Sequence, residues 1–114
     1  MNTSFQALVV PYRLTHPVHI RPVELDPAAL QRVAAGEVGF ISSKDWHAYL
    51  DTEGSRSFEN VRAEVLIREA GVDLEETIRG TAMFLGQGSR GEDADAPRHL
   101  IRLAERLFDL PLAA

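Results

Sequence analysis

Two apolar segments near the start of the chain predict a β-hairpin. Residues 5–10 (FQALVV) are mostly apolar and end at Pro11, which is typical of a strand within a sheet. Residues 18–25 (VHIRPVEL) alternate between apolar and polar, but Pro22 reverses the parity of the alternation. Because proline inside a strand belongs at an edge or a bulge, we expect the second strand to be bent at Pro22.

A second strand pair is predicted over residues 38–42 and 46–50, which flank Ser43-Lys44-Asp45. Side chains on a strand point alternately to its two faces. This alternation gives an apolar face that we assign to the core, consisting of Trp46, Ala48 and Leu50. The opposite face then carries a polar and aromatic row, Asp45, His47, Tyr49 and Asp51.

Three helices are predicted from helical spacing and capping residues. The first covers residues 26–36, where Asp26 suits the cap and Pro27 the first helical position. The second covers residues 60–70 and has Ser57 or Asn60 as its cap and Gly71 as its stop. Its apolar stripe consists of Ala63, Leu66, Ile67 and Ala70. The third covers residues 97–108, with an apolar face of Leu100, Leu103, Ala104, Leu107 and Phe108.

A last strand over residues 77–85 completes the order ββαββαβα. We therefore predict residues 1–114 to form a single α+β domain, with a mostly antiparallel sheet of about five strands and three helices. Chains of this length rarely divide into two independently stable cores.

Composition removes several classes of function. The chain has 17 acidic against 12 basic residues, a formal net charge of -5, which argues against a nucleic-acid partner. It contains no cysteine, which excludes disulfides and thiolate chemistry. No signal peptide or membrane span is recognisable, so we expect a cytoplasmic protein without a membrane partner.

The motifs that would indicate catalysis or a cofactor are weak. Residues 86–91 (GQGSRG) match a dinucleotide-binding pattern, but the next helix begins about five residues later and acidic residues intervene, so we interpret residues 86–95 as a flexible loop. The four histidines lack metal-ligand spacing, and no serine lies in a nucleophile motif. We recognise no catalytic set, cofactor or metal site, and we favour a protein that is not an enzyme.

The best candidate binding residues lie around the strand at 46–50. His47 and Tyr49 belong to its polar face, and Asn60 and Arg62 stand at the start of the second helix. Tyrosine and arginine provide much of the binding energy at protein interfaces. We therefore predict a binding site formed by His47, Tyr49, Asn60 and Arg62; the alternative is that the row is only the exterior of the sheet.

Several segments resemble a domain-of-unknown-function family associated with actinobacterial phages and mobile elements. The similar pieces span about residues 5 to 88 and are residues 7–11 (ALVVP), 21–25 (RPVEL), 46–54 (WHAYLDTEG) and 80–86 (GTAMFLG), with Asn60 and Ala63 between the last two. The resemblance implies a small accessory protein that acts during infection or on host pathways, in the host cytoplasm. It implies no activity, cofactor or catalytic residue.

Two functions of different classes remain open. The first is a non-enzymatic, phage-type binding module that engages a host or phage protein, with a small homo-oligomer left open. The second is a small-ligand protein, for example one that sequesters a nucleotide through Asn60, Arg62, His47 and Tyr49. A DNA mimic fits less well, because 11 arginines are interspersed among the carboxylates.

Overall fold

The strand at the centre of the sheet, Ala82–Gln87, is apolar on both of its faces. A computed structural model describes residues 4–24, 39–50, 58–109 and 112. Strand β1 (Ser4–Val10) pairs antiparallel with β2 (His19–Glu24), which confirms the first predicted hairpin. Strands β3 (Gly39–Ser42) and β4 (Trp46–Leu50) form the second predicted pair.

Strand β5 (Ala82–Gln87) joins the two hairpins into one sheet. It pairs antiparallel with β1 on one side and with β4 on the other, so the strand order is β2-β1-β5-β4-β3. The short strand β6 (Asp93–Ala94) also pairs with β5. It pairs with Gly86 and Gln87, on the same side of β5 on which β1 pairs with residues 82–84.

Pro22 explains how the outer edge of β2 is protected. The backbone N–H of Gln6 donates to Asp95 Oδ1 at 2.8 Å, and its carbonyl accepts from the Ala96 N–H at 2.8 Å. Both groups therefore point away from β2. Gln6 lies opposite Pro22, so the backbone groups of Pro22 point away from β1, toward the outer edge. The N–H that proline lacks is thus one that would face outward.

Two helices pack on one face of this sheet. Helix α1 (Val61–Glu69) begins after Asn60, whose side-chain oxygen accepts from the Ala63 N–H at 3.0 Å, and Gly71 follows it with a φ of 99°. Helix α2 (Arg98–Phe108) begins after Pro97 and ends at Asp109, which adopts the left-handed conformation. The described residues therefore form a small compact domain with an antiparallel sheet and two helices, and the predicted helix over 26–36 lies outside them.

The main core lies between the helices and one face of the sheet. Trp46, Ala48 and Leu50 face it, as predicted, and the Trp46 ring packs on Phe84 at 5.6 Å. Leu66 and Ile67 contribute from α1. On α2, Leu100 and Ala104 are fully buried, whereas Leu103, Leu107 and Phe108 are half-buried at the flanks.

Two predicted boundaries are wrong. The last strand begins at Ala82 rather than at residue 77, because the chain bends at Gly80, which has a φ of 80°. The stretch 86–95 is a hairpin rather than an open loop. The Arg90 N–H donates to Glu92 Oε2 at 2.9 Å and Gly91 adopts a φ of 81°, which brings β6 back to pair with β5.

Candidate functional site

The second face of the sheet contains a closed polar cluster around Asp93. Its Oδ1 atom lies 2.6 Å from His47 Nε2 and accepts a hydrogen bond of 3.0 Å from the Tyr49 hydroxyl. The rings of His47 and Tyr49 meet edge to face at 5.3 Å, and Phe40 packs against both rings at 5.3 and 5.4 Å. Strand β6 is therefore fixed to β4 by one carboxylate.

Gln87 determines how the imidazole of His47 is oriented. The Gln87 Nε2 group donates to the Ser43 carbonyl at 3.0 Å, which leaves its Oε1 atom facing His47 Nδ1 at 3.1 Å. Both ring nitrogens of His47 thus lie within hydrogen-bond distance of a side-chain oxygen, Gln87 Oε1 for Nδ1 and Asp93 Oδ1 for Nε2.

The environment of Tyr49 keeps its hydroxyl protonated. Burial raises the pKa of the hydroxyl, and the hydrogen bond to Asp93 and the negative charge of Asp93 raise it further. The hydroxyl is therefore held as a neutral donor to Asp93.

These contacts overturn the predicted exposure of His47 and Tyr49. His47 is 1% and Tyr49 8% exposed, in a small second core with Ala7, Val9 and Leu85. The prediction that this face is open was wrong because β1 and β5 are apolar at both parities, and such strands are buried on both faces.

Asn60 is also buried, at 1% exposure, and its groups are used within the fold. Besides capping α1, its Nδ2 group donates to the carbonyls of Val10 and Gly80, both at 2.8 Å. Asn60 thus connects the end of β1, the approach to β5 and the start of α1. Its contacts are structural ones.

Arg62 is the one predicted residue that reaches a surface feature. Its Nη2 group donates to the carbonyls of Pro11, Arg13 and His16 at 2.8, 2.9 and 2.7 Å. These carbonyls belong to the β1–β2 connection, so Arg62 holds that connection against α1. The structure does not bring Arg62 together with His47 or Tyr49, because α1 and the Asp93 cluster lie on opposite faces of the sheet.

Beside Arg62 lies an exposed apolar surface that sequence analysis missed. Phe58 is 69% and Leu14 75% exposed, and Val61 and Val65 are exposed on the solvent side of α1. The half-buried Tyr12 ring stacks on Phe58 at 6.1 Å. We name this surface, consisting of Tyr12, Leu14, Phe58, Val61 and Val65, the Tyr12–Phe58 patch.

The sequence contained a signal for part of the patch. Val61 and Val65 are four residues apart, so they share a helix face, and they fall outside the buried stripe of Ala63, Leu66 and Ile67. Apolar residues on the solvent face of a capped helix indicate a contact surface. No sequence pattern indicated that the β1–β2 connection would join them.

Binding of a nucleotide or a metal ion depends on the neighbours of the glycine-rich turn and of the His, Asp and Glu side chains. In the glycine-rich turn, a backbone amide that would face a phosphate is occupied by the Glu92 carboxylate. Within the described ranges, no three His, Asp or Glu side chains are grouped to hold a metal ion. No helix there is long and apolar enough to cross a membrane.

A groove of about 640 Å³ runs between α2 and the start of β1. Its lining includes two basic residues, Arg98 and Arg102, two acidic residues, Asp95 and Glu105, and the apolar Ile20 and Ile101. Its size falls within the range of about 300 to 1,000 Å³ that is common for small-molecule sites.

Comparisons with known proteins give no relative. No protein-family model, no curated protein and no solved structure matches the chain.

Proposed function

We propose that this protein is a non-enzymatic binding module that engages a partner protein through the Tyr12–Phe58 patch. The observation that carries the proposal is the clustering of exposed apolar side chains. Of the five large hydrophobic residues exposed in the described ranges, Phe58, Val61 and Val65 lie on or beside α1, and Leu14 lies in the connection that Arg62 holds against it. Exposed apolar side chains gathered in one region of a surface mark interaction sites.

The patch is also preorganised for binding. Asn60 fixes the start of α1, and Arg62 fixes the β1–β2 connection through three carbonyls. Little conformational entropy remains to be lost when a partner docks, which favours affinity. Aromatic rings such as Tyr12 and Phe58 contribute large contact areas at low entropic cost.

The setting that we propose is that of a phage-type accessory protein in the host cytoplasm. Its support is the resemblance of residues 5–88 to the phage-associated family and the absence of cysteine. The partner would then be a host or phage protein.

The proposal is tested by capture with matched variants. A tagged parent chain, the double variant Phe58→Ser/Val65→Ser and the control Phe40→Ser are each used to capture proteins from lysate of cells that carry the gene. Phe40 is a suitable control because it is a 45% exposed aromatic residue on the other face of the sheet. We expect a protein retained by the parent and by Phe40→Ser to be lost from the double variant.

The double variant should remain folded, because substitutions at exposed positions usually change stability by less than about 0.5 kcal/mol each. Identical protein sets from all three baits, with unchanged thermal unfolding, would contradict the proposal.

The α2 groove supports a second candidate, a small ligand bound among Arg98, Arg102, Asp95 and Glu105. This candidate replaces His47, Tyr49 and Asn60, whose polar groups are engaged within the fold. Native mass spectrometry of the protein purified from its own cells distinguishes the two, since a bound small molecule would add a fixed mass to the chain.

A further inference from the structure

We infer that the segment that docks on the Tyr12–Phe58 patch carries carboxylates beside its apolar side chains. The inference rests on the proposed function and adds the chemistry of the partner. It follows from the positive charges that border the patch, whereas the chain as a whole has a net charge of -5.

Arg13 provides the first of these charges. Its guanidinium lies over the Tyr12 ring, 5.5 Å from the ring centroid, and its Nε donates to the Tyr12 hydroxyl at 3.1 Å. The side chain is therefore held at the border of the patch. No carboxylate within the described residues lies within 4.0 Å of it.

Arg62 provides the second positive charge at the border of the patch. Its hydrogen bonds go to neutral carbonyls, its Nε atom is buried without a hydrogen-bond partner, and burial lowers its pKa. Within the described ranges it has no ion pair. A cation in neutral, partly desolvated surroundings is stabilised by an anion placed beside it.

Within the described ranges, the acidic groups of α1 form no ion pair with Arg13 or Arg62. Glu64 is buried and lies 3.6 Å from Arg68, one turn along α1. Burial raises the pKa of Glu64, and the neighbouring Glu59 raises it further, which favours the uncharged form of Glu64. Glu69, at the far end of α1, is the remaining carboxylate of this helix.

The form of the patch favours a peptide over a nucleic acid. Tyr12 and Phe58 could stack on bases, but Leu14, Val61 and Val65 offer aliphatic surface that matches apolar side chains. The net charge of -5 also opposes a polyanion more strongly than it opposes a short peptide with a few carboxylates.

The test uses two fluorescent model peptides that share the same leucine and phenylalanine positions at helical spacing. One has glutamate and the other lysine at the flanking positions, and fluorescence anisotropy measures their binding in low salt. We expect the glutamate peptide to bind about tenfold more tightly than the lysine peptide, and the preference to shrink as salt is raised.

Two charge variants assign the preference to the patch. Arg13→Glu should abolish or reverse it. Arg90→Glu is the control, because it changes the net charge by the same amount. Arg90 lies in the β5–β6 turn, which follows the C-terminal end of β5, whereas Asn60 binds the Gly80 carbonyl before the N-terminal end of β5. The Arg90→Glu variant should therefore retain the preference for the glutamate peptide.

Three results would overturn the inference: equal binding of both peptides, tighter binding of the lysine peptide, or binding of neither. Tighter binding of an oligothymidylate than of the glutamate peptide would also overturn it. Its failure is distinguishable from failure of the proposed function, because the capture experiment with Phe58→Ser/Val65→Ser does not depend on the partner's charge.

Discussion

Two histidine–aspartate pairs in this protein have the same separation and very different surroundings. His47 and Asp93 lie 2.6 Å apart with side chains 1% and 18% exposed, whereas His99 and Asp45 lie 2.6 Å apart with side chains 60% and 55% exposed. Exposed pairs are screened by water and contribute little. Removing one partner of a buried pair leaves a polar group without compensation.

We therefore expect Asp93→Ala to lower the free energy of unfolding by about 2 to 4 kcal/mol, because His47 Nε2 and the Tyr49 hydroxyl both lose their acceptor. Asp45→Ala is the matched control and should cost less than about 1 kcal/mol. Urea denaturation of both variants provides the comparison. A loss of less than about 1 kcal/mol for Asp93→Ala, like that expected for Asp45→Ala, would mean that the Asp93 cluster does not stabilise the fold.

A second prediction at the residue scale concerns Glu64. Burial and the contact with Glu59 raise its pKa above the ordinary value of 4.5, so the folded chain retains a proton that the unfolded chain releases. The stability linked to this proton is fully present below pH 4.5 and is lost as the pH rises through the folded pKa.

Glu64→Gln keeps the size of the side chain and removes its titration. We expect this variant to be more stable than the parent at about pH 8 and equally stable at about pH 4. Glu69→Gln, on the exposed side of α1, should match the parent at both pH values in urea denaturation. A gain from Glu64→Gln that is the same at both pH values would show that titration is not its cause.

At the scale of elements, α2 separates residues that the sequence treats alike. Leu100 and Leu103 both belong to its predicted apolar face, but Leu100 is fully buried and Leu103 is half-buried at the flank. Leu100 and Ala104 are four residues apart and define the line that faces the sheet.

Leu100→Ala should therefore cost about 2 to 5 kcal/mol, the range for truncating a buried leucine. Leu103→Ala should cost clearly less, because its site can fill with water. Thermal and urea unfolding give both values. A larger loss of stability from Leu103→Ala than from Leu100→Ala would show that the buried side of α2 is assigned incorrectly.

The elements were predictable where a local pattern decides them. The two hairpins, the cap at Asn60 and the apolar face of α2 follow from alternation, capping and helical spacing. The hairpin at residues 86–95 was missed because its pairing depends on Glu92 and on the distant His47, which no local pattern reveals.

The candidate site was less predictable than the fold. His47 and Tyr49 alternate with core residues as exposed residues do, yet a second core covers them. The Tyr12–Phe58 patch joins a strand connection to a helix about 50 residues away through Arg62. The strand connection and the helix are close only because of how the chain folds back on itself. No short stretch of the sequence indicates this contact.

At the scale of the whole molecule, Pro22 bears on association between copies. An edge strand offers unpaired backbone groups that can pair with another chain, and the outward position of Pro22 removes one donor from that edge. Pro22→Val restores the N–H and favours an extended strand.

We expect Pro22→Val to associate more strongly than the parent at high concentration, as measured by sedimentation velocity. Arg21→Val is the control, because Arg21 adjoins Pro22 and lies on the same strand but already has an N–H. If both variants sediment as the parent does, the proline has no role in keeping copies apart.

The long-range pairing of β1 has a consequence for synthesis on the ribosome. Leu8 and Val10 pair with Phe84 and Ala82, and the Gln6 N–H bonds to Asp95, 89 residues further along the chain. Strand β1 therefore emerges from the exit tunnel long before its partners are translated. Until β5 follows, only β2 can pair with it, and its apolar side chains lack the core that later covers them. The sheet can therefore close only after residues 82–95 have left the exit tunnel, and until then the apolar side chains of β1 are open to contact with other chains.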